Sequence, residues 1–383
     1  MATVLLLLTC LSLAAWLYLI FFRGFFWRSD LQSEPDAIEL AQWPPVMAVV
    51  PARNEATVIK RTLASLRRQD YPGEFSIVLV DDSSEDGTAE LARQILDEKG
   101  HPLHVIAGAS LSPGWTGKLW AMAQGVGRAE TILPHTRYLW FTDADLEHDP
   151  QALRSLVRQA ESRNLDLVST MALLHCASFW ERLLIPAFVF FFRKLYPFRQ
   201  VNAPHHPMAA AAGGSMLVRR QALQKSGGLE AIRGELIDDC ALARQIKARG
   251  PIHLELTRHS RSIRPYDFAD IWRMVARSAY TQLNHSVLWL LATVTGMILI
   301  YFVPWISLLS GSLMGSLPIA ALGGTTWALM ALVYWPTIHL YRQPGWMALW
   351  LPAAALLYTI MTIDSALQHW RGRGGMWKGR AQA

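Results

Sequence analysis

The sequence predicts an α/β fold with a mostly parallel, doubly wound sheet, flanked by transmembrane helices. Strand-like apolar runs alternate with helix-period segments between residues 46 and 170. Two of those runs end in acids, Asp81-Asp82 and Asp143-Ala-Asp145, at the carboxyl edge where parallel sheets bind their ligands. Long apolar stretches with few charges occupy both ends of the chain.

At the first end, residues 4–22 are almost wholly apolar and long enough to cross a bilayer, and Arg23 and Arg28 follow. No basic stretch precedes this run and no small-residue cleavage site follows it. It therefore reads as an anchor with its C-terminal side in the cytoplasm, not as a signal peptide. Residues 287–310, 317–340 and 347–367 are further candidate spans, and Pro304 and Pro336 inside them are tolerable in membrane helices. Three crossings after a cytoplasmic domain would put the tail outside. Arg371, Arg373, Lys378 and Arg380 ask instead for an even number, and the sequence leaves both open.

Composition narrows the classes. The net charge of +6 forms no basic stripe, so cationic flanks of membrane segments explain it better than nucleic acid does. Cys10, Cys176 and Cys240 show neither a CxxC nor ligand-like spacing, which indicates no disulfide framework and no zinc site. The expected organisation is an anchor over 1–28, a connector over 29–45 and a cytoplasmic domain over 46–286. That domain divides into two halves, 46–170 and 171–286. A transmembrane region over 287–370 and a basic tail over 371–383 complete the chain.

In order, the first soluble strand covers residues 46–50 and runs into Pro51-Ala-Arg-Asn-Glu55. A helix with Val58, Ile59, Leu63 and Leu66 on one face follows, with Asn54 as its expected N-cap. A second strand, 75–80, ends in Asp81-Asp82-Ser-Ser-Glu-Asp86-Gly-Thr88 and leads into a helix through Leu91 and Ile95. A third strand lies near 103–106. The loop Pro113-Gly-Trp-Thr-Gly-Lys118 then opens a helix. The fourth strand, Tyr138-Leu-Trp-Phe-Thr142, precedes a helix over 151–163 and a strand over 165–170.

The acids ending the fourth strand carry the chemistry. Residues i and i+2 of a strand point to one side, so Asp143 and Asp145 can meet at one point and offer hard oxygen ligands to Mg²⁺ or Mn²⁺. The plain alternative is that they cap the helix beginning near Pro150. A phosphate-binding ATPase loop is rejected, because Leu119 follows Gly117-Lys118 where Ser or Thr is needed. A calcium loop fails too: His148 stands where the turn glycine belongs, and no closing glutamate follows.

The order of Val50-Pro-Ala-Arg-Asn-Glu55, Val80-Asp-Asp-Ser-Ser-Glu-Asp-Gly-Thr88, Gly117-Lys118, Thr142-Asp-Ala-Asp145 and Ile237-Asp-Asp239-Cys-Ala-Leu242 resembles the family 2 glycosyltransferases. The resemblance covers residues 46–286 and implies the GT-A nucleotide-sugar fold. Gly213-Gly-Ser-Met-Leu-Val-Arg-Arg220 and the membrane arrangement look closest to the hopene-associated and ceramide glucosyltransferases. The resemblance implies a nucleotide-sugar donor, with a UDP-sugar the expected form, and a divalent metal on Asp145 with Asp143 nearby. Asp82, with Asp81 beside it, would accept hydrogen bonds from base and ribose. Pro51, Arg53 and Glu55 would line the same pocket, with the backbone of Ala52 against the base. Lys118 is either a donor-phosphate contact or a surface lysine. Asp239 is the candidate general base, which implies inversion at the sugar C1; Asp238 is the competing assignment, and both acids have a helix-cap alternative.

Processive members of the family carry Gln-x-x-Arg-Trp at the membrane. The corresponding stretch here is Gln282-Leu-Asn-His285-Ser286, which lacks the tryptophan and has histidine for arginine. That departure favours a single transfer to a lipid and leaves Gln282 and His285 as candidate phosphate contacts. Residues 179–198, apolar with a cationic edge at Arg193, Lys194 and Arg199, read either as an interfacial segment or as a buried core helix. His205-His206 has no matching third ligand and reads as loop. The leading expectation is a multi-pass enzyme of the inner, cytoplasmic membrane that glycosylates a hopanoid- or sphingolipid-like hydroxyl. Transfer to a polyprenyl phosphate and a non-catalytic nucleotide-sugar scaffold are the alternatives; retention of Asp82, Asp143, Asp145 and Asp239 together argues against the scaffold.

Overall fold

The computed structural model describes residues 2–29, 40–96 and 99–372, with the backbone of 376–377 and 380–381. Most of the acidic connector and of the basic tail lies outside the described residues. The chain forms two compact units: Asp30–His175, Val201–Arg264 and Gly375–Ala383 in one, and Met1–Ser29, Cys176–Gln200 and Pro265–Gly374 in the other.

The first unit is built on an eight-stranded sheet. Its strands are β1 (Val46–Ala52), β2 (Phe75–Asp81), β3 (Leu103–Ala107), β4 (Tyr138–Thr142), β5 (Leu146–His148), β6 (Leu167–Leu173), β7 (Ser215–Arg219) and β8 (Ile252–Ser262). Their order is β3-β2-β1-β4-β7-β6-β8-β5. The first four are mutually parallel, as the alternating pattern predicts. Beyond them the sheet is mixed. β7 runs antiparallel to both β4 and β6, β8 runs parallel to β6, and β5 pairs antiparallel with β8.

This topology sets one edge. β1, β2 and β4 are buried along their whole length and end there, delivering Ala52, Asp81 and Asp143. Because β7 is antiparallel, with Thr142 opposite Ser215, its start lies at that same edge and brings Gly213-Gly214 beside the end of β4. Pro51 is tolerated inside β1 because the ladder to β4 stops at Val49. The carbonyl of Ala52 turns the other way and accepts from the Asp82 N–H at 2.8 Å.

One expectation at this edge is corrected. Asn54 does not cap the first helix, which runs Ile59–Arg67 with Val58 at its N-cap and no side-chain cap. Asn54 instead takes a left-handed backbone, φ +52°, and its Oδ1 accepts from the Glu85 N–H at 3.0 Å. An asparagine tolerates that conformation better than most residues. It ties together the loops after β1 and β2, and Ala56 N–H to Asp86 and Glu55 N–H to Thr88 Oγ1 add to the tie.

The second unit holds four helices long and apolar enough to cross a membrane: Ala2–Phe22, Val287–Leu313, Leu317–Leu340 and Gly345–Trp370. Helix Phe179–Leu195 belongs to this unit and opens with a capping box in which Ser178 and Glu181 satisfy each other's backbone donors. Its apolar face packs on the candidate spans, with Phe190 against Tyr334 and the Leu184 carbonyl accepting from Tyr358 Oη at 3.0 Å.

Candidate active site

At the nucleotide edge, the loops after β1 and β2 make a rigid floor. Arg53 is buried and donates through Nη1 to the carbonyls of Asp82 and Ser83, 2.5 and 3.2 Å away, with the Asp82 carboxylate at 3.8 Å. Asp82 is almost fully buried. Asp81 accepts from the Ser84 N–H through Oδ2 at 3.2 Å, while its buried Oδ1 has no hydrogen-bond partner among the described residues. A buried carboxylate oxygen without a donor is costly, and a ligand N–H or O–H would satisfy it. Glu55, also buried, pairs with Arg264.

A second cluster gathers the remaining acids. Helix Gly117–Ile132 opens at the same edge and carries Lys118 in its first turn. The Lys118 ammonium lies 2.9 Å from Asp143 Oδ1 and 3.6 Å from Asp238 Oδ2. Burial alone would lower the Lys118 pKa, but Asp143, Asp238 and Asp239 together raise it well above the usual lysine value. Helix Asp238–Lys247 starts with the two acids, and neither caps it in the usual way, since Ile237 holds the N-cap position. Asp239 accepts from the Gly213 N–H at 2.9 Å through Oδ2 and from the Cys240 N–H at 2.7 Å through Oδ1. Burial and the neighbouring Asp238 raise the Asp239 carboxyl above the usual range, against the opposing pull of Lys118 and the two N–H groups.

Gly213 leaves little room for a side chain here. A Cβ at this position would stand 3.2 Å from Asp239 Oδ2 and 3.4 Å from Lys118 Nζ, inside the space the two charged groups share. Gly214 accepts from the Asp143 N–H at 3.1 Å and so anchors the end of β4.

Asp143 and Asp145 are held by different cations. Where Asp143 meets Lys118, Asp145 Oδ2 accepts from Ser262 Oγ at 3.3 Å and lies 3.7 Å from Arg264 Nε. The β5–β8 pairing, with Leu146 opposite Ser262, carries Arg264 to this position. Behind the pair, the buried His148 bridges Thr142 and Ser260 at 2.8 Å each. Burial pushes its pKa down to about 3, so the ring is neutral and structural. No cluster of three or more His, Cys, Asp or Glu ligands occurs among the described residues.

Comparison with known families decides the identity. The family described as Glycosyl transferase family 2 matches residues 47–227, and that described as Glycosyl transferase family group 2 matches residues 139–362, more than half the chain. The chain is a family 2 glycosyltransferase. Among curated relatives of this glycosyltransferase is a dodecaprenyl-phosphate galacturonate synthase from Rhizobium johnstonii, 32% identical over 124 residues. That match covers 31% of this chain and 33% of the relative, so it spans about a third of the relative's length. Among solved structures, the mannosyltransferase PcManGT from Pyrobaculum calidifontis, in complex with GDP-Man and Mn²⁺, is 21% identical with a TM-score of 0.52. The alignment covers 93% of this chain and 99% of that one, and it shows a shared GT-A fold. TarS 1–349 from S. aureus, in complex with UDP-GlcNAc, aligns over 78% of this chain and 92% of its own at 13% identity and a TM-score of 0.42.

The structure of the glycosyltransferase gathers most residues named from the sequence on one sheet edge: Pro51, Ala52, Arg53, Glu55, Asp81 and Asp82 on the floor, and Lys118, Asp143, Asp145, Asp238 and Asp239 beside it. Gln282 and His285 belong to the other unit. There Gln282 accepts from Tyr196 Oη at 2.9 Å, and the His285 ring stacks on His369 with centroids 4.2 Å apart. Arg264 and Gly213 also lie at this edge, and the sequence reading assigns neither to the site. Arg264 follows a strand whose pairing with β5 has no local signal. Gly213 could have been found, since a glycine pair ahead of an apolar run marks a close backbone approach.

Proposed function

We propose that this glycosyltransferase is a membrane-bound inverting enzyme that moves a sugar from a nucleotide-sugar donor to the hydroxyl of a membrane lipid, hopanoid- or sphingolipid-like. The observation that carries the proposal is Asp239. It is a half-buried carboxylate with a raised pKa, aimed by the Gly213 N–H and set beside the acids that would meet the donor. A hydroxyl must lose its proton as it attacks the sugar C1, and a carboxylate poised above its usual range is a suitable acceptor for that proton.

The other residues follow from charge. Asp81 and Asp82 would take the hydrogen bonds of base and ribose, with Arg53 and Glu55 lining that pocket beside Pro51 and the Ala52 backbone. Asp143 and Asp145 already attract Lys118 and Arg264, which marks a place that needs positive charge. Two carboxylates suit Mg²⁺ or Mn²⁺, and Asp145 with Asp143 nearby would hold it, so the residues present fit the cation. When bound, it supplies positive charge to the departing diphosphate. Lys118 holds Asp143 and Asp238 in place and can turn toward phosphate, and Asp239 takes the acceptor proton. The Mn²⁺ and GDP-Man bound by the mannosyltransferase of the same fold support these ligand classes.

A second acceptor reading has its own support. The relative from Rhizobium is named for transfer to a lipid phosphate, and a polyprenyl phosphate would attack already ionised, with little need of a base. The two readings part on Asp239. Detergent-purified protein is incubated with a panel of nucleotide sugars, Mg²⁺ or Mn²⁺ and total membrane lipid, and lipid masses are followed. We expect a hexose-type increment on a neutral lipid, abolished by Asp239→Asn while donor binding persists. An increment on polyprenyl phosphate that survives Asp239→Asn would replace the hydroxyl reading with the second one.

A further inference from the structure

In the membrane unit, the sequence places Arg23 directly after the apolar helix Ala2–Phe22 and Lys194 in the last turn of helix Phe179–Leu195. The fold brings them together. Arg23 donates through Nε to the carbonyl of Lys194 at 3.1 Å and through Nη2 to that of Leu195 at 3.0 Å. This satisfies carbonyls that a helix end leaves without donors, and it fixes the guanidinium at the root of the lysine side chain.

Lys194 does not turn outward to water, as a cation at a helix end ordinarily does. Its ammonium donates to Tyr301 Oη at 2.7 Å, with the Tyr301 and Phe191 ring centroids at 4.8 and 5.3 Å. Tyr301 lies inside the candidate span Val287–Leu313. It is fully buried and packed edge-on against Trp16, whose Nε1 donates to the Ile300 carbonyl at 2.9 Å. The ammonium is therefore held at a membrane helix, where charge is expensive unless it has a use.

The charge is not balanced within the protein. An ammonium has three protons, and among the described residues the Tyr301 hydroxyl accepts one. No carboxylate pairs with Lys194 or Arg23 among the described residues, and the two cations lie close enough to repel each other. Capping explains Arg23. It does not explain why a second cation is drawn to the same place and against a tyrosine hydroxyl. The anion most abundant at headgroup depth is the phosphate of a lipid, and it would take the remaining protons of both groups.

We propose that Lys194 and Arg23, with the ammonium held in place by Tyr301, form a binding site for the phosphate group of a membrane lipid. The phosphate can come from a monoester such as polyprenyl phosphate or from an anionic phospholipid. Purified full-length protein in nanodiscs of phosphatidylcholine is titrated with polyprenyl phosphate, with polyprenol of the same chain length, and with phosphatidylglycerol. Lys194→Met, Lys194→Arg and Tyr301→Phe are measured alongside, with thermal stability as the check on folding. We expect phosphorylated lipid to bind at least about tenfold tighter than polyprenol, as charge-assisted hydrogen bonds to phosphate allow. Lys194→Met removes that preference, Lys194→Arg keeps it, and Tyr301→Phe, which leaves every ring in place, weakens it. Preference for the monoester alone identifies an acceptor-type lipid, and equal binding of phosphatidylglycerol identifies a phospholipid site. Equal affinity for polyprenol and polyprenyl phosphate in the wild type overturns the proposal. So does an undiminished preference in Lys194→Met, or in Tyr301→Phe if Lys194→Met does not fold.

Discussion

At the scale of single residues, the site is a contest over protons among four charged groups. Burial and Asp238 push the Asp239 carboxyl up to about 6, and Lys118 restrains the rise. A base works in its ionised form, so its contribution is present above that value and is lost as the pH falls through it. The acid limb of kcat/KM should therefore lie near 6 rather than near the ordinary aspartate value of about 4. Lys118→Met removes the restraining charge, so the limb of any residual activity should move to higher pH. Rate profiles of the two proteins between pH 4 and pH 9 check both statements, and an acid limb near 4 in both would remove Asp239 from the role. Such residues are legible in a sequence when acids interrupt an apolar run, as at Asp81, Asp143 and Asp238. Arg264 is not, because its pairing with Glu55 joins groups more than two hundred residues apart. Only the closing of β8 onto β5 reveals it.

At the scale of elements, β1, β2 and β4 are readable because each is a buried apolar run with a local boundary, and the partly buried β3 is readable from Leu103, Val105 and Ile106. The start of the Ile59–Arg67 helix was misread. Asn54 has the chemistry of a cap, but the adjacent loop offered its side chain a better partner. The antiparallel β7 was not readable, since strand direction depends on the route the chain takes between β6 and β7. Placement of Lys118 also rests on packing between elements. Gly125 lies two turns along the helix that Lys118 opens, and a Cβ there would stand 2.4 Å from Val49 Cγ1 on β1 and 3.3 Å from Val80 Cγ2 on β2. Alanine would gain about 1 kcal/mol in helix propensity, whereas overpacking of a tight core costs about 1–3 kcal/mol. The valine is short and branched and cannot swing aside, so overpacking should win. Gly125→Ala is expected to lower the melting temperature and to reduce turnover, because the helix must lift off the strands and take Lys118 with it. A higher melting temperature with full activity would show that the interface has slack.

At the scale of the whole molecule, the two kinds of surface in this chain are hard to reconcile with a purely aqueous setting. Leu288, Leu313 and Leu317 are 79, 89 and 79% exposed, and Phe22, Leu7 and Trp289 are more than half exposed. Scattered apolar residues on a water-facing surface are ordinary, but long helices that present them along their length are not. At about 25 cal/mol per Å², that area would cost many kcal/mol in water and almost nothing in lipid. Helices Leu317–Leu340 and Val303–Leu313 also meet as membrane helices do. A Cβ on Gly323 would stand 2.6 Å from the Leu308 nitrogen and 2.7 Å from the Pro304 carbonyl oxygen, so the glycine lets the two backbones touch. The protein is therefore expected to remain in the pellet when membranes are washed with alkaline carbonate or high salt, and to be released by mild detergent. A peripheral protein held by its cationic flanks would come off in salt, since surface charge is screened within about 10 Å at moderate ionic strength. Immunoblots of the wash fractions distinguish the two. Release by salt would assign the apolar helices to protein contacts and withdraw the membrane from the account of the acceptor.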